Sequence, residues 1–177
     1  MIKKVRGFTL IELLIVVAII GIIAALLIPN LITAIQKGKQ KGTVGDMHTL
    51  GTAIADYITD NFQAPTDPGG ALSESATIVG ELIPFYIQHV PLGDHWGNAF
   101  LCRTRTGWTL YGITSTGLDE YIIASTGRDG AGDGWTFDAT STGDDFYVVD
   151  SLDDFNNDIV FWNGDFVHGP RTRGIAS

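Results

Sequence analysis

Residues 8–28 read FTLIELLIVVAIIGIIAALLI, and Glu12 is the only ionisable side chain among them. As a helix, these roughly 21 residues extend about 31 Å, enough to cross a hydrocarbon core. A carboxylate inside such a span costs about 2.5–3.5 kcal/mol even on the lenient insertion scale, so it points to a function. It becomes tolerable when a cation is paired with it. Ahead of the run lies a short basic leader, MIKKVRG, residues 1–7. A secretory signal would place small residues and a cleavage site after the apolar core. Here Pro29-Asn30-Leu31 follows instead, and the helical pattern goes on. The one junction that looks processed is Gly7–Phe8, before the apolar run.

Basic leader, Gly7, Phe8, Thr9-Leu10-Ile11-Glu12 and an apolar helix together resemble the prepilin signature of type IV pilins and type II secretion pseudopilins. The resemblance implies that a prepilin peptidase cuts after Gly7 and that the new N-terminal residue, Phe8, is N-methylated. It assigns Glu12 to assembly, neutralising the Phe8 amine of a neighbouring subunit. It also makes Gly21 and Pro29 the bounds of a stretch that can lose helicity in a filament; glycine loosens a helix, and proline removes one of its hydrogen bonds.

Cleavage after Gly7 would remove Lys3, Lys4 and Arg6, leaving eight basic residues against 20 acids and a formal charge of −12. That balance argues against nucleic-acid binding, which needs a basic stripe to neutralise phosphates. The leader's three cations are nearly matched by Lys37, Lys39 and Lys41 beyond the span. The leader precedes the first span and usually dominates; the resemblance settles the near-tie, implying that the N-terminus faces the cytoplasm and the remainder lies outside. The lone Cys102 cannot form an intrachain disulfide. Many type IV major pilins carry a cysteine pair and pseudopilins usually do not, so the resemblance leans to the secretion branch.

Val44, Met47, Leu50, Ile54 and Tyr57/Ile58 recur at three- and four-residue steps, so the helix continues past the span as one apolar stripe. It ends near Phe62, where Pro65 and Pro68 stop it. One helix over residues 8–62 would be roughly 80 Å long. Gly38, Gly42 and Gly45 within it serve either close packing or flexibility. Residues 63–91 read as a connection with one short helix around Ile78/Val79 and Leu82, closed by Pro84. Strands are expected over about 99–103, 108–113 and 120–125, the first two joined as a hairpin by a Thr-Gly turn, and Phe146–Val149 and Ile159–Trp162 are short strand-like runs in the tail. A long helix against a small antiparallel sheet is the α+β arrangement, as the pilin-like fold would require. The organisation expected is a leader (1–7), a long helix (8–62, with 8–28 in the membrane) and one extracytoplasmic head (63–177).

Two head segments strengthen the resemblance. Pro91-Leu92-Gly93-Asp94-His95-Trp96-Gly97-Asn98 is similar to the pseudopilin segment around Trp-Gly-Asn. Ser125-Thr126-Gly127-Arg128-Asp129-Gly130, continued through Asp133 to Asp138-Ala139-Thr140, is similar to the calcium-binding loop of the secretion major pseudopilin. The resemblance implies a calcium site at Ile123, Ser125, Asp129, Asp133 and Asp138. Thr140 stands where that loop carries a second aspartate, and Asp153, Asp154 or Asp158 of the longer tail are candidates to replace it. Hard cations take six to eight oxygens, which carboxylates on a Gly-rich backbone can supply. An EF-hand is excluded, because Ala131 and Thr140 fall where ligands belong. A solvated acidic loop is the plain alternative, since nine of the 20 acids lie within residues 129–158.

Catalytic signals are lacking. His48, His89, His95 and His168 show no zinc-protease spacing, and there is no nucleophile elbow or phosphate-binding loop. Arg171 and Arg173 near the end read as solvated, with contact to acidic loops of a neighbouring subunit as the alternative. The resemblance implies a structural subunit of a type II secretion pseudopilus, stored as a single-pass inner-membrane protein and assembled into a periplasmic or cell-surface filament. Its implied partners are other copies of itself, minor pseudopilins, the prepilin peptidase and the inner-membrane assembly platform. The alternative is a type IV pilin or minor pilin for motility, adhesion or uptake.

Overall fold

In the computed structural model, residues 7–140 and 145–171 are described. Lys3, Lys4, Arg6, Asp144 and Arg173 lie outside them. The chain divides into two compact units, residues 1–37 and 38–177. Helix α1 runs over Leu10–Asn61, 52 residues, starting and stopping within two residues of the sequence expectation.

In the first unit the helix is bare. Leu10, Ile11, Leu14, Ile22, Leu26 and Leu31 are all exposed, and this is the single described helix long and apolar enough to cross a membrane. An isolated helix that is apolar all round has no reason to exist in water. Neither Gly21 nor Pro29 interrupts the helix. Pro29 has no N–H to give the Ala25 carbonyl, and the Thr33 hydroxyl donates to the Pro29 carbonyl at 3.2 Å.

The second unit is a head built on the segment of α1 after Gly38. Thr43, Met47, Leu50, Gly51 and Ile54 are buried there at three- and four-residue steps. They meet one face of a six-stranded sheet and the short helix α2 (Thr77–Leu82). Its strands are β1 (Gly70–Ala71), β2 (Leu101–Thr104), β5 (Tyr121–Ser125), β6 (Phe146–Val148), β7 (Ile159–Trp162) and β8 (Asp165–Arg171). The order is β1-β2-β5-β7-β8-β6, antiparallel except for the outer β6–β8 pair. Phe100, Cys102, Tyr121, Ile123, Ile159 and Phe161 fill the core with the helix residues, each large apolar side chain worth about 1.5–3 kcal/mol on burial. The approach is close: a Cβ on Gly51 would lie 2.2 Å from the Phe161 ring, and the Tyr121 hydroxyl donates to the Gly51 carbonyl at 3.0 Å.

β5 is buried along its whole length because the sheet is covered on both sides. Tyr121, Ile123 and Ser125 alternate with Ile122 and Ala124, which join Trp108, Ile113 and Val160 in a second apolar cluster. Trp135, Phe137 and Trp162 lie over that cluster. The fold is α+β, as expected, with a further layer on the outer face.

Two strand assignments change. Residues 108–113 do not form one strand. Tyr111 and Gly112 take left-handed backbone (φ +53° and +75°), and the chain doubles back there as a separate hairpin, β3 (Thr109–Leu110) with β4 (Ile113–Thr114). Two consecutive positive φ values are what a tight two-residue hairpin turn demands. The partner of β2 is accordingly β5, with Leu101 opposite Ala124 and Thr104 opposite Tyr121. The second change is β8, an added strand paired with β7, where Val160 faces His168. Of the helix glycines, Gly42 packs so closely that a Cβ would fall 2.5 Å from the His95 ring, while Gly38 and Gly45 face open space.

Candidate functional sites: the helix start and the acidic loop

Gly7, Phe8 and Thr9 precede the helix in non-helical conformation, and Phe8 is three-quarters exposed. Nothing lies within 4 Å of a Cβ built on Gly7. The Gly7–Phe8 bond, where cleavage is expected, therefore stands clear of the other described residues. Three residues on, Glu12 closes a reciprocal cap. Its Oε2 accepts from the Thr9 N–H at 3.0 Å and the Thr9 hydroxyl at 2.7 Å, and the Thr9 Oγ1 accepts from the Glu12 N–H at 3.3 Å. Thr-x-x-Glu is a capping-box spacing that satisfies otherwise orphaned N–H groups at a helix start. The Thr9-x-x-Glu12 spacing is itself a sequence signal for this cap. Glu12 thus has a local partner as well as a free valence for a cation.

In the head, Asp94 ties the Trp-Gly-Asn segment to the acidic loop. Its Oδ1 accepts from the backbone N–H groups of Trp96, Gly97 and Asn98 at 3.0, 2.9 and 2.9 Å. Its Oδ2 accepts from the buried Ser125 hydroxyl at 2.8 Å, and Asn98 Nδ2 donates to the Gly127 carbonyl at 2.7 Å. Gly127 has φ +66°, and a Cβ there would strike the Asn156 carbonyl at 2.5 Å. Arg128 joins the same seam: its N–H donates to the Phe155 carbonyl at 2.8 Å and its guanidinium to Asn156 Oδ1 at 2.9 Å. These contacts clamp the 3₁₀ turn Asp153–Asn156 under the loop.

The expected calcium residues do not all converge. Ile123 lies within β5 between Cys102 and Phe161. The Ser125 hydroxyl serves Asp94. Asp129 and Asp138 are exposed and close local turns, Asp129 with the Ala131 N–H at 3.0 Å and Asp138 with the Thr140 N–H at 2.8 Å. Asp133 is brought to Asp158 of the tail. The two exchange backbone-to-carboxylate bonds, Asp133 N–H to Asp158 Oδ2 at 3.3 Å and Asp158 N–H to Asp133 Oδ2 at 3.1 Å. His168 Nε2 lies 3.3 Å from Asp133 Oδ2, its Nδ1 contacts the Asp145 carbonyl, and its ring stacks on Trp135 at 4.5 Å. Among the described residues, no three His, Cys, Asp or Glu side chains converge as a metal-binding group.

Asp158 is fully buried, and its Oδ1 has no hydrogen-bond partner among the described residues. Burial pushes its carboxyl up to about 6, opposed by the Tyr111 phenol and reinforced by the Asp133 charge. A buried carboxylate oxygen left unpaired costs several kcal/mol unless a proton or a cation meets it. The tail position was legible as a candidate; His168, 35 residues from Asp133, carried no sequence signal. Cys102 is buried and its thiol is pushed well above the ordinary range by burial, which removes it as a nucleophile.

The pattern described as the prokaryotic N-terminal methylation motif matches residues 2–28. The chain is 34% identical over 122 residues to the type II secretion system core protein G of Escherichia coli (strain K12), covering 66% of this chain and 83% of that protein. It is 34% identical over 123 residues to the core protein G of Aeromonas hydrophila, covering 66% and 85%. Against that of Dickeya chrysanthemi the identity is 29% over 179 residues, covering 97% and 96%. No solved structure matches. Similarity over more than four-fifths of each of these relatives, joined to the methylation motif around the apolar helix, places this chain in the type II secretion system core protein G family, the major pseudopilins.

Proposed function

We propose that the chain is the repeating subunit of a type II secretion pseudopilus, held in the inner membrane by residues 8–28 until it is polymerised. The observation that carries this is the bare apolar helix, which opens on an accessible Gly7–Phe8 junction and a carboxylate at Glu12. Prepilin peptidase would cut after Gly7, Phe8 would be methylated, and its amine would meet Glu12 of a neighbour. Minor pseudopilins and an inner-membrane assembly platform complete the set of partners. The role is structural: residues 63–177 form a head that decorates a helix-cored filament on the periplasmic side, and assembly supports protein export. Mass spectrometry of the assembled protein tests it. The first residue should be N-methyl Phe8, and Gly7→Leu should keep residues 1–7 attached and abolish filaments. Mature protein that begins beyond Ala24 would overturn it.

The acidic loop adds a calcium proposal. The donors fit a hard cation, since Asp158 Oδ1 is buried and unpartnered beside the Asp133 carboxylate. Asp133 and Asp158 would hold the ion, with oxygens of the loop that follows Ser125. The bound charge would neutralise Asp158 and fasten residues 129–138 to the tail. Asp129 and Asp138, engaged in local turns, would join only if those turns open.

A further inference from the structure

Acidic residues dominate this chain, yet none occurs between Glu12 and Asp46. Within that interval stand Lys37, Lys39 and Lys41, and no further cation follows until Arg103. Arg103, Arg105 and Arg128 are engaged within the head, by Asp67 at 2.9 Å, the Ala64 carbonyl at 2.9 Å and Asn156 at 2.9 Å. None of the three lysines makes a hydrogen bond or ion pair with a described residue; Lys37 and Lys41 are exposed and Lys39 is half-buried. Asp46, the first acid after them in the chain, is held by His95 at 3.1 Å. Ahead of them, Leu31, Ile32 and Ile35 are 58%, 41% and 50% exposed, so the bare apolar surface continues past Ile28 almost to the first lysine. Leu10 to Lys37 is one uninterrupted stretch of α1, about 40 Å at helical rise, which matches a bilayer measured with its headgroups. A helix that starts at one interface therefore delivers Lys37 to the phosphates of the other.

An ammonium on a four-carbon stem suits that level. Its methylenes lie along the apolar helix while its N–H groups reach out and donate to phosphate oxygens. Read at 3.6 residues per turn, Lys37 and Lys41 fall one turn apart and Lys39 on the opposite side, so lipids are met all round the helix. We propose that Lys37, Lys39 and Lys41 form a collar for anionic phospholipid headgroups in the outer leaflet of the inner membrane. The inference rests on the membrane storage proposed above. Processing gives the collar its importance. Before cleavage, Lys3, Lys4 and Arg6 of the leader balance it on the cytoplasmic side; cleavage after Gly7 takes them away. Only the Phe8 amine then remains as a cation at that end, with Glu12 four residues on. The electrostatic hold of the mature chain thus passes to the outer leaflet, the side towards which a subunit must leave to join a filament. Each lysine near an anionic surface is worth about fivefold in association.

Electron spin resonance on the processed full chain in phosphatidylcholine vesicles tests the collar, with a spin-labelled trace of either phosphatidylcholine or phosphatidylglycerol. The fraction of label slowed at the protein surface gives the preference for the anionic lipid. It should be at least about fivefold for the natural chain and fall towards unity as salt rises from about 0.01 M to 1 M. Lys37→Gln/Lys39→Gln/Lys41→Gln should lose the preference, Lys37→Arg/Lys39→Arg/Lys41→Arg should keep it, and Arg171→Gln, on β8, should not alter it. In a Gly7→Leu chain, which keeps its leader, the same three Gln substitutions should leave part of the preference, carried by Lys3, Lys4 and Arg6. No preference in the natural chain, or an undiminished one after the three Gln substitutions, would overturn the collar. If those substitutions instead reduced chain-to-chain crosslinking and left the lipid preference intact, the lysines would belong to a second copy and the collar would fall. Release of the natural chain by an alkaline wash would remove the membrane reading itself. A firmly embedded chain with no lipid preference leaves that reading standing and removes only the collar.

Discussion

Replacing Glu12 by Gln and by Leu separates two roles that the structure places on one carboxylate. Within the chain, Glu12 caps the helix through two bonds accepted from Thr9, at 3.0 and 2.7 Å. Gln retains the capping-box pattern and Leu does not. Loss of the cap is worth about 0.5–2 kcal/mol. Membrane insertion moves the other way: removing the charge relieves about 2.5–3.5 kcal/mol and adding Leu gains roughly half a kcal/mol more. Both variants should therefore insert at least as well as the natural chain. If Glu12 also neutralises the Phe8 amine of a neighbour, either substitution strands that cation in an apolar filament core. Breaking a buried pair by removing one partner costs about 3–5 kcal/mol, a factor between roughly 10² and 10⁴ per subunit joined. Filament yield from Glu12→Gln should then fall as far as from Glu12→Leu, with both proteins present in the membrane at normal levels. Normal filaments from Glu12→Gln together with defective ones from Glu12→Leu would show that capping is the whole role of this glutamate and refute the pairing.

Three further outcomes are expected. Calcium should raise the melting temperature of the head (residues 38–177) more than magnesium, by an amount set by RT ln(1 + [L]/Kd), about 2.7 kcal/mol at a hundredfold excess; Asp158→Asn and Asp133→Ala should remove the response, and an unchanged melting temperature in chelator refutes the site. In chelator, the raised carboxyl of Asp158 makes its charge a liability: the penalty is absent below about pH 4, grows as pH rises towards about 6 and is complete above it. Relative to Asp158→Asn, the natural head should thus lose on the order of 1–3 kcal/mol between pH 4 and 7, and denaturant curves with a pH-independent difference would contradict this. Gly51→Ala should destabilise the head by about 1–3 kcal/mol because its Cβ meets Phe161 at 2.2 Å, whereas Gly45→Ala, in open space, should gain up to about 1 kcal/mol from helix propensity alone. Equal effects of the two in urea titrations would show that the helix does not press on the sheet there.

What could be read from the chain is what depends on near neighbours. The apolar run of residues 8–28, the stripe from Met47 to Ile54, and the turn residues around Gly127 are local patterns, and helix period and chain punctuation expose them directly. The strand run Ile159–Trp162 was legible for the same reason. The hairpin error arose at Tyr111, where a bulky residue takes φ +53°; a non-glycine in that region is uncommon and sequence gives little warning of it.

The sequence by itself determined a prepilin-type chain: a leader, a bare helix with one carboxylate, and an α+β head. Its spacing and hydrophobicity decide these, because a membrane span and an amphipathic helix need only their own residues. Only the tertiary structure decided that β2 pairs with β5, that the outer face of the sheet is roofed by Trp135 and Phe137, and that Asp133 meets Asp158 rather than Asp138. Each depends on segments far apart in the chain, where the burial of β5 on both faces outweighs any local preference. Asp158 shows the physical reason most directly. Its carboxylate is ordinary in the sequence and becomes a candidate ligand only because folding buries it beside Asp133 and the Tyr111 phenol with Oδ1 short of a hydrogen bond.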